Sequence, residues 1–192
     1  TNEKAISKID KKRREAIRRN HSATHLLHYV LRQVIGQHAE QSGSLVAADR
    51  FRFDFHHFAG ITKDELARIE EMINEMIMEN TRVSVQEMTL NEAQETGAVA
   101  LFGEKYSENV KVVNIGNFSR ELCGGTHVIS TGQIGLFKII HESSVAAGIR
   151  RIEAVTGKEA IMRKRRYSEG YAISLIPMKI QLYSVPKRSC NR

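Results

Sequence analysis

Two short segments carry side chains whose types and spacing could do chemistry. Residues 18–28 read Arg-Arg-Asn-His-Ser-Ala-Thr-His-Leu-Leu-His. On a helix, positions four apart share a face, so His21 and His25 can aim two imidazoles at one ion. The pattern is not that of a zinc protease, because Ser22 stands where that motif places its general-base Glu. Residues 119–127 read Ser-Arg-Glu-Leu-Cys-Gly-Gly-Thr-His, with Cys123 and His127 four apart around Gly124-Gly125. A Gly-Gly pair disfavours helix and permits a tight turn that brings a thiolate and an imidazole together. Two His plus a Cys and a His form an N/S donor set suited to Zn²⁺. Surface or core-edge histidines and a buried structural thiol are the alternatives. About a hundred residues separate the two pairs, and spacing alone leaves open whether they meet. His28 lies on nearly the same helical face as His21 and reads either as a substitute ligand or as a packing residue, with packing favoured.

These side chains need elements to hold them. From about Lys4 to Gly36 the pattern is helical, with Leu26, Leu27, Val30, Leu31 and Val34 at helical spacing. A second helix has Thr62 as its cap, Glu65 completing a capping box, and one apolar stripe of Leu66, Ile69, Ile73, Met76 and Ile77 to about Glu79. A short third helix is expected from Asn91 to near Gly97. Arg50 to Phe55 alternates, placing three Phe on a buried face and Arg52 and Asp54 on the other. Further strands are expected at Val83 to Met88, Val99 to Phe102, Val110 to Ile115, Leu136 to Glu142 and Ile149 to Val155. Strands mixed irregularly with few helices predict an α+β fold, a two-layer sandwich of a mainly antiparallel sheet with helices packed on one face.

Composition bounds the function classes. Hydrophobic residues at 41% and charged ones at 27% exclude wholesale disorder in this 192-residue chain. Two cysteines, Cys123 and Cys190, exclude a disulfide-stapled secreted scaffold. No apolar run reaches the roughly 18 residues of a membrane span. The net charge of +7 is unevenly placed. Residues 1–20 hold eight basic and three acidic side chains, residues 158–192 nine and two, and residues 21–157 twelve and seventeen. The organisation read from this is a basic helical lead-in (1–20), a central block with the metal donors (21–157) and a basic tail (158–192). The tail sustains neither helical nor strand period, holds both prolines and Cys190, and is expected to be disordered or foreign to the native protein.

Residues 18–58, the Ala-Leu-Phe-Gly-Glu-Lys-Tyr run at 100–106 and residues 118–157 resemble the editing domain of alanyl-tRNA synthetase. The resemblance runs almost continuously from about Lys11 to Gly157; threonyl-tRNA synthetase carries a more distant version. It implies the fold common to those two synthetases, zinc at His21, His25, Cys123 and His127, and a cytoplasmic role in protein biosynthesis. It also implies hydrolytic proofreading of tRNA(Ala) mischarged with serine or glycine. An alanine pocket cannot exclude glycine sterically, and discrimination over one small group is limited to a few kcal/mol. The sequence shows no ATP-binding motif or adenylate-forming domain, so it reads as a fragment of a full synthetase whose other domains are its partners. A freestanding trans-editing protein is an alternative, although relatives of that kind usually place a small barrel ahead of this region. A zinc-stabilised tRNA-binding module without hydrolytic activity is another.

Further site residues follow from the same reading. Thr24, one residue before His25, is a candidate to recognise the serine side chain, or bonds back to a carbonyl one turn earlier. Gln41 matches a position the family places near the editing pocket, or is a turn residue. Of Arg150 and Arg151, one is expected to contact tRNA phosphate or the terminal adenosine, with pairing to Glu153 or another acid as the alternative. Asp54 is expected to pair with a neighbouring strand.

Overall fold

The computed structural model describes residues 8–100 and 106–169. Helix α1 (Lys11–Val34) opens at Asp10, whose carboxylate accepts the Arg13 amide, and is buried on all sides from Ser22 to His28. Strand β1 (Gln41–Val46) follows, then β2 (Phe51–His56) and helix α2 (Lys63–Met78). Thr62 and Glu65 form the expected capping box, and Ile69, Ile73, Met76 and Ile77 are buried. Strand β3 (Val83–Thr89) leads into the short helix α3 (Leu90–Glu95), then come β4 (Asn109–Ile115) and β5 (Ser119–Leu122). A 3₁₀ turn (Thr131–Ile134), β6 (Phe137–Ala146), β7 (Ile149–Thr156) and helix α4 (Gly157–Glu169) complete the described chain.

The architecture is α+β. The strands form two antiparallel sheets, one ordered β1-β2-β7-β6 and the other β3-β4-β5. A single sheet was expected, and β4 shows why the chain builds two. Its run Val110 to Val113 has buried residues on both faces. Val113 and Ile115 join the main core, whereas Val110 and Val112 pack with Ala93 and Leu122 in a second cluster. Burial therefore switches faces at Val112–Val113, which lets one strand serve two cores.

In the larger sheet the alternation is clean. Phe51, Phe53 and Phe55 are fully buried and face Leu26, Leu27 and Leu31 of α1 together with the α2 stripe. Asp54 pairs in register with Arg151 of β7, so the opposite face of β2 carries charge. Asn20 fastens α1 to this sheet: its amide donates to the Ala47 carbonyl at 2.8 Å and its oxygen accepts from Thr156 Oγ1 at 2.7 Å.

Several expectations need correction or lie elsewhere. The first helix begins at Lys11 rather than near Lys4, and residues 1–7 lie outside the described residues. Strands β1 and β5 were not expected: Gln-Ser-Gly-Ser reads as a turn, and β5 has only four residues. Val99 makes a parallel bridge to Glu121, and residues 101–102 of the expected strand lie outside the described residues. Beyond Gly157, where no period is sustained, α4 continues the chain as helix to Glu169, while residues 170–192 with Cys190 lie outside the described residues. No described helix is long and apolar enough to cross a membrane.

Phe53 is fully buried and its ring lies 5.5 Å from that of His28, so it joins the core to the site. Phe53→Ala should lower stability by about 3–5 kcal/mol. Urea unfolding checks this: the midpoint should fall with an unchanged slope, and an unshifted midpoint would show that the packing does not matter there.

Candidate metal centre

The two pairs meet. His21, His25, Cys123 and His127 place their donor atoms within 4.8 Å of one another. Cys123 Sγ lies 3.4 Å from His21 Nε2 and 3.4 Å from His127 Nε2. Bonds of about 2.3 Å to sulfur and 2.0–2.1 Å to nitrogen give a tetrahedron whose S–N edge is roughly 3.6 Å, so these separations fit one ion at the centre. His25 Nε2 is buried without a hydrogen-bond partner, the position of a donor awaiting a ligand. The donor set and its spacing thus fit a metal ion.

Each ligand is held from behind. Cys123 directly follows β5, and its amide donates to the Lys111 carbonyl at 2.9 Å, extending the β4–β5 ladder. Gly125 lets the loop close over the site, because a Cβ built there would overlap the His21 ring. Ser22, the residue that departs from the protease pattern, serves the loop instead. Its Oγ accepts the Val128 amide at 3.1 Å and lies 3.3 Å from His127 Nδ1. Arg18 Nε donates to the His127 carbonyl.

Glu121 is the member that sequence reasoning missed. Its buried carboxylate accepts from His25 Nδ1 at 2.8 Å, His28 Nδ1 at 3.2 Å and Ser119 Oγ at 2.9 Å. The signal was available: residues 119, 121 and 123 alternate along one strand and so share a face. A carboxylate on Nδ1 fixes the proton there and turns Nε2 toward the ion. His28 accordingly stands behind the cluster, bonded to Glu121 and packed on Phe53, outside the four-donor set.

The electrostatics follow from this packing. Burial opposes charge on His25, but Glu121 outweighs it and raises the imidazole to about 10. Burial likewise opposes ionisation of Glu121, yet His25 and His28 hold its carboxyl well below the usual range. Cys123 is lowered to about 3, because hydrogen bonds from His127 and His21 outweigh its desolvation. Burial lowers His127, which favours the neutral ligand form. The Cys123 thiolate is the form a divalent metal needs, whereas His25 must release its Nε2 proton as the metal binds.

The remaining candidates are not among the four donors. Thr24 is buried and its hydroxyl donates to the Asn20 carbonyl at 2.9 Å, the back-bonding alternative. Gln41 opens β1 and its amide makes a long 3.4 Å contact with Ser44 Oγ. Arg150 and Arg151 point to opposite sides of β7, and both guanidiniums are committed within the sheet. Arg151 grips Asp54 with two bonds of 2.6 and 2.7 Å, as expected for Asp54, and Arg150 Nε donates to Glu142 at 2.6 Å.

With the geometry established, comparison with known proteins is informative. Residues 110–153, from β4 through Cys123 and His127 into β7, match the family model for the Threonyl and Alanyl tRNA synthetase second additional domain. The alanine–tRNA ligase of Wolbachia pipientis wMel is 61% identical over 153 residues, covering 80% of this chain and 17% of the relative. That of Thermotoga maritima is 57% identical over 159 residues, 83% of this chain and 18% of the relative. That of Desulforamulus reducens is 50% identical over 181 residues, 94% of this chain and 21% of the relative. The chain belongs to the alanyl-tRNA synthetase family. It spans about a fifth of the length of these ligases, 17 to 21%. The synthetase segment therefore contains both donor pairs, whereas the matched family region contains only the second.

Glu121→Gln removes the charge that orients His25 while keeping the shape. Zinc affinity, measured by competition with a chromogenic chelator, should fall about 10- to 100-fold with the circular dichroism spectrum unchanged. Undiminished affinity would show that Glu121 does not position the ligand.

Proposed function

We propose that this synthetase segment is a zinc-dependent editing domain that hydrolyses the ester linking serine or glycine to tRNA(Ala). It would act in the cytoplasm alongside the remaining domains of the ligase. The observation that carries this reading is the convergence of His21, His25, Cys123 and His127 on one point in a chain so similar to alanine–tRNA ligases.

The reaction adds water across the ester, releasing the amino acid and a tRNA with a free terminal hydroxyl. When bound, zinc supplies positive charge that can polarise a carbonyl, acidify a water or orient the aminoacyl group. The protein's own residues define the rest. Glu121 holds the proton at His25 Nδ1, and Ser22 stands to receive the one at His127 Nδ1. Thr24 commits its hydroxyl proton to Asn20, so towards a substrate its oxygen can only accept. Such an acceptor suits the hydroxyl of serine and finds nothing to bond in the methyl of alanine. Gln41, whose amide has only a weak contact with Ser44, is assigned to the same aminoacyl group.

A second reading has an observation in its favour. Four protein donors complete a tetrahedral shell, the pattern of a structural site, whereas activating water needs an open position. On that reading the segment is a zinc-stabilised module that binds tRNA without hydrolysing it.

Incubation with Ser-tRNA(Ala), Gly-tRNA(Ala) and Ala-tRNA(Ala), with and without a chelator, separates the two. Serine and glycine should be released and alanine spared; chelation or Cys123→Ala should abolish release. Thr24→Val should reduce discrimination between the serine and alanine esters by about tenfold or more. Binding without turnover by the metal-loaded chain, or full activity in Cys123→Ala, would contradict the editing reading.

A further inference from the structure

We propose that the groove beside the metal cluster, walled by Arg14 and Arg18 of α1 and by Arg82 ahead of β3, binds the phosphodiester strand leading to the aminoacyl end of an RNA substrate. This rests on the reading of the cluster as a deacylation site and adds how that site holds its substrate. The groove has a volume of about 430 Å³ and is bounded on its other side by residues 126–129, so His127 belongs to both groove and cluster.

Two of the three arginines in this groove are uncompensated among the described residues. No carboxylate among the described residues lines it. Arg18 bonds Glu15 and the His127 carbonyl and is thereby held in place. Among the described residues the guanidiniums of Arg14 and Arg82 have neither hydrogen bond nor ion pair, in contrast to Arg150 and Arg151, whose charges are answered by Glu142 and Asp54. Arg is the side chain whose fork of donors fits a phosphate. Two of them facing one hollow without an acid create a positive potential that an external anion can neutralise. Exposed Val85 and Ile129 add apolar surface against which a sugar or base can lie.

The direction of the groove identifies the kind of anion. Arg14, Arg18, His21 and His25 are spaced four, three and four apart, a single stripe along α1. Arg14 stands about 10 Å from His21 along the helix axis at 1.5 Å per residue. That length takes in more than one phosphate of a strand, so a phosphodiester chain can use both Arg14 and Arg18 where a lone anion cannot. A strand laid on the arginines therefore arrives end-first at the metal donors. An isolated phosphate would use one arginine, whereas a run of phosphates uses the whole stripe.

The test uses the full 192-residue chain, zinc-loaded, and an uncharged tRNA(Ala) transcript as probe. Arg14→Ala/Arg82→Ala is compared with Arg50→Ala/Arg68→Ala, which removes equal charge from outside the groove. The groove pair should weaken binding about 10- to 30-fold near 0.1 M salt and flatten the dependence of log K on log salt by about 1.4, some 0.7 per lost phosphate contact. The control pair should change affinity less than about twofold, since exposed charges outside the site act only through the screened general field. Zinc content should be equal in all proteins, and the charge-keeping Arg14→Lys/Arg82→Lys pair should recover most of the slope. In single-turnover deacylation of Ser-tRNA(Ala), the groove pair should raise the half-saturating enzyme concentration and leave the saturated rate unchanged. Unaltered affinity and slope in the Arg14→Ala/Arg82→Ala protein would overturn the proposal, even if deacylation is intact. RNA binding lost in that variant while the wild-type chain hydrolyses nothing would uphold the groove and overturn the editing reading instead.

Discussion

The buried carboxylate of Glu121 is the interaction on which the rest of the site depends. A charge taken out of water must find partners or it is costly, and removing one partner of such a pair is strongly destabilising. Glu121 finds His25 and His28, both from α1, and Ser119 from its own strand. The demand for satisfaction therefore presses β5, a strand of only four residues, against the helix at one register. It also settles which nitrogen of His25 faces the cluster. Ser22 and Arg18 hold the loop that carries His127, and Glu121 adds the contact that fixes β5 itself on the histidine face of α1.

The fold makes this arrangement out of two hydrophobic problems solved separately. The larger sheet buries its Phe face under α1 and α2, and the smaller sheet divides its valines between that core and a second cluster beneath α3. Helix α1 is common to both jobs. Its aliphatic residues belong to the core, and its His stripe looks toward the smaller sheet. Asn20 and Ser22 tie it to the β1–β2 turn, to the end of β7 and to the metal-site loop. A helix fixed at both sheets is a rigid support for donor atoms, which suits a centre that must hold its geometry to within a few tenths of an ångström.

Much of this was legible in the residues, and what was not has physical causes. The His21–His25 and Cys123–His127 spacings mark two candidate donor pairs because helix and turn geometry are local, although spacing leaves open whether the pairs meet. Thr62 and Glu65 mark α2 for the same reason, and the equivalent Thr89–Glu92 box on α3 could have been read one residue earlier than the Asn91 start. Pairing across long separations leaves no local trace. Strand β1 is an edge strand with a bulge near Gly43 and few buried positions, so its composition looks like a turn. The commitment of Arg150 and Arg151 to carboxylates depends on sheet register, which periodicity alone does not supply. Net charge was the least informative feature: the two ends are basic and the middle acidic, and what matters is that Arg14 and Arg18 of α1 and Arg82 face one groove.

Zinc K-edge X-ray absorption, with metal analysis of the same sample, bears most directly on the central claim that these four side chains form one metal centre. The account predicts one zinc per chain in a shell of one sulfur at about 2.3 Å and nitrogens at about 2.0–2.1 Å. It further predicts that the sulfur disappears from the shell in Cys123→Ala. A shell of oxygen and nitrogen only, or metal binding indifferent to the loss of Cys123, would contradict it.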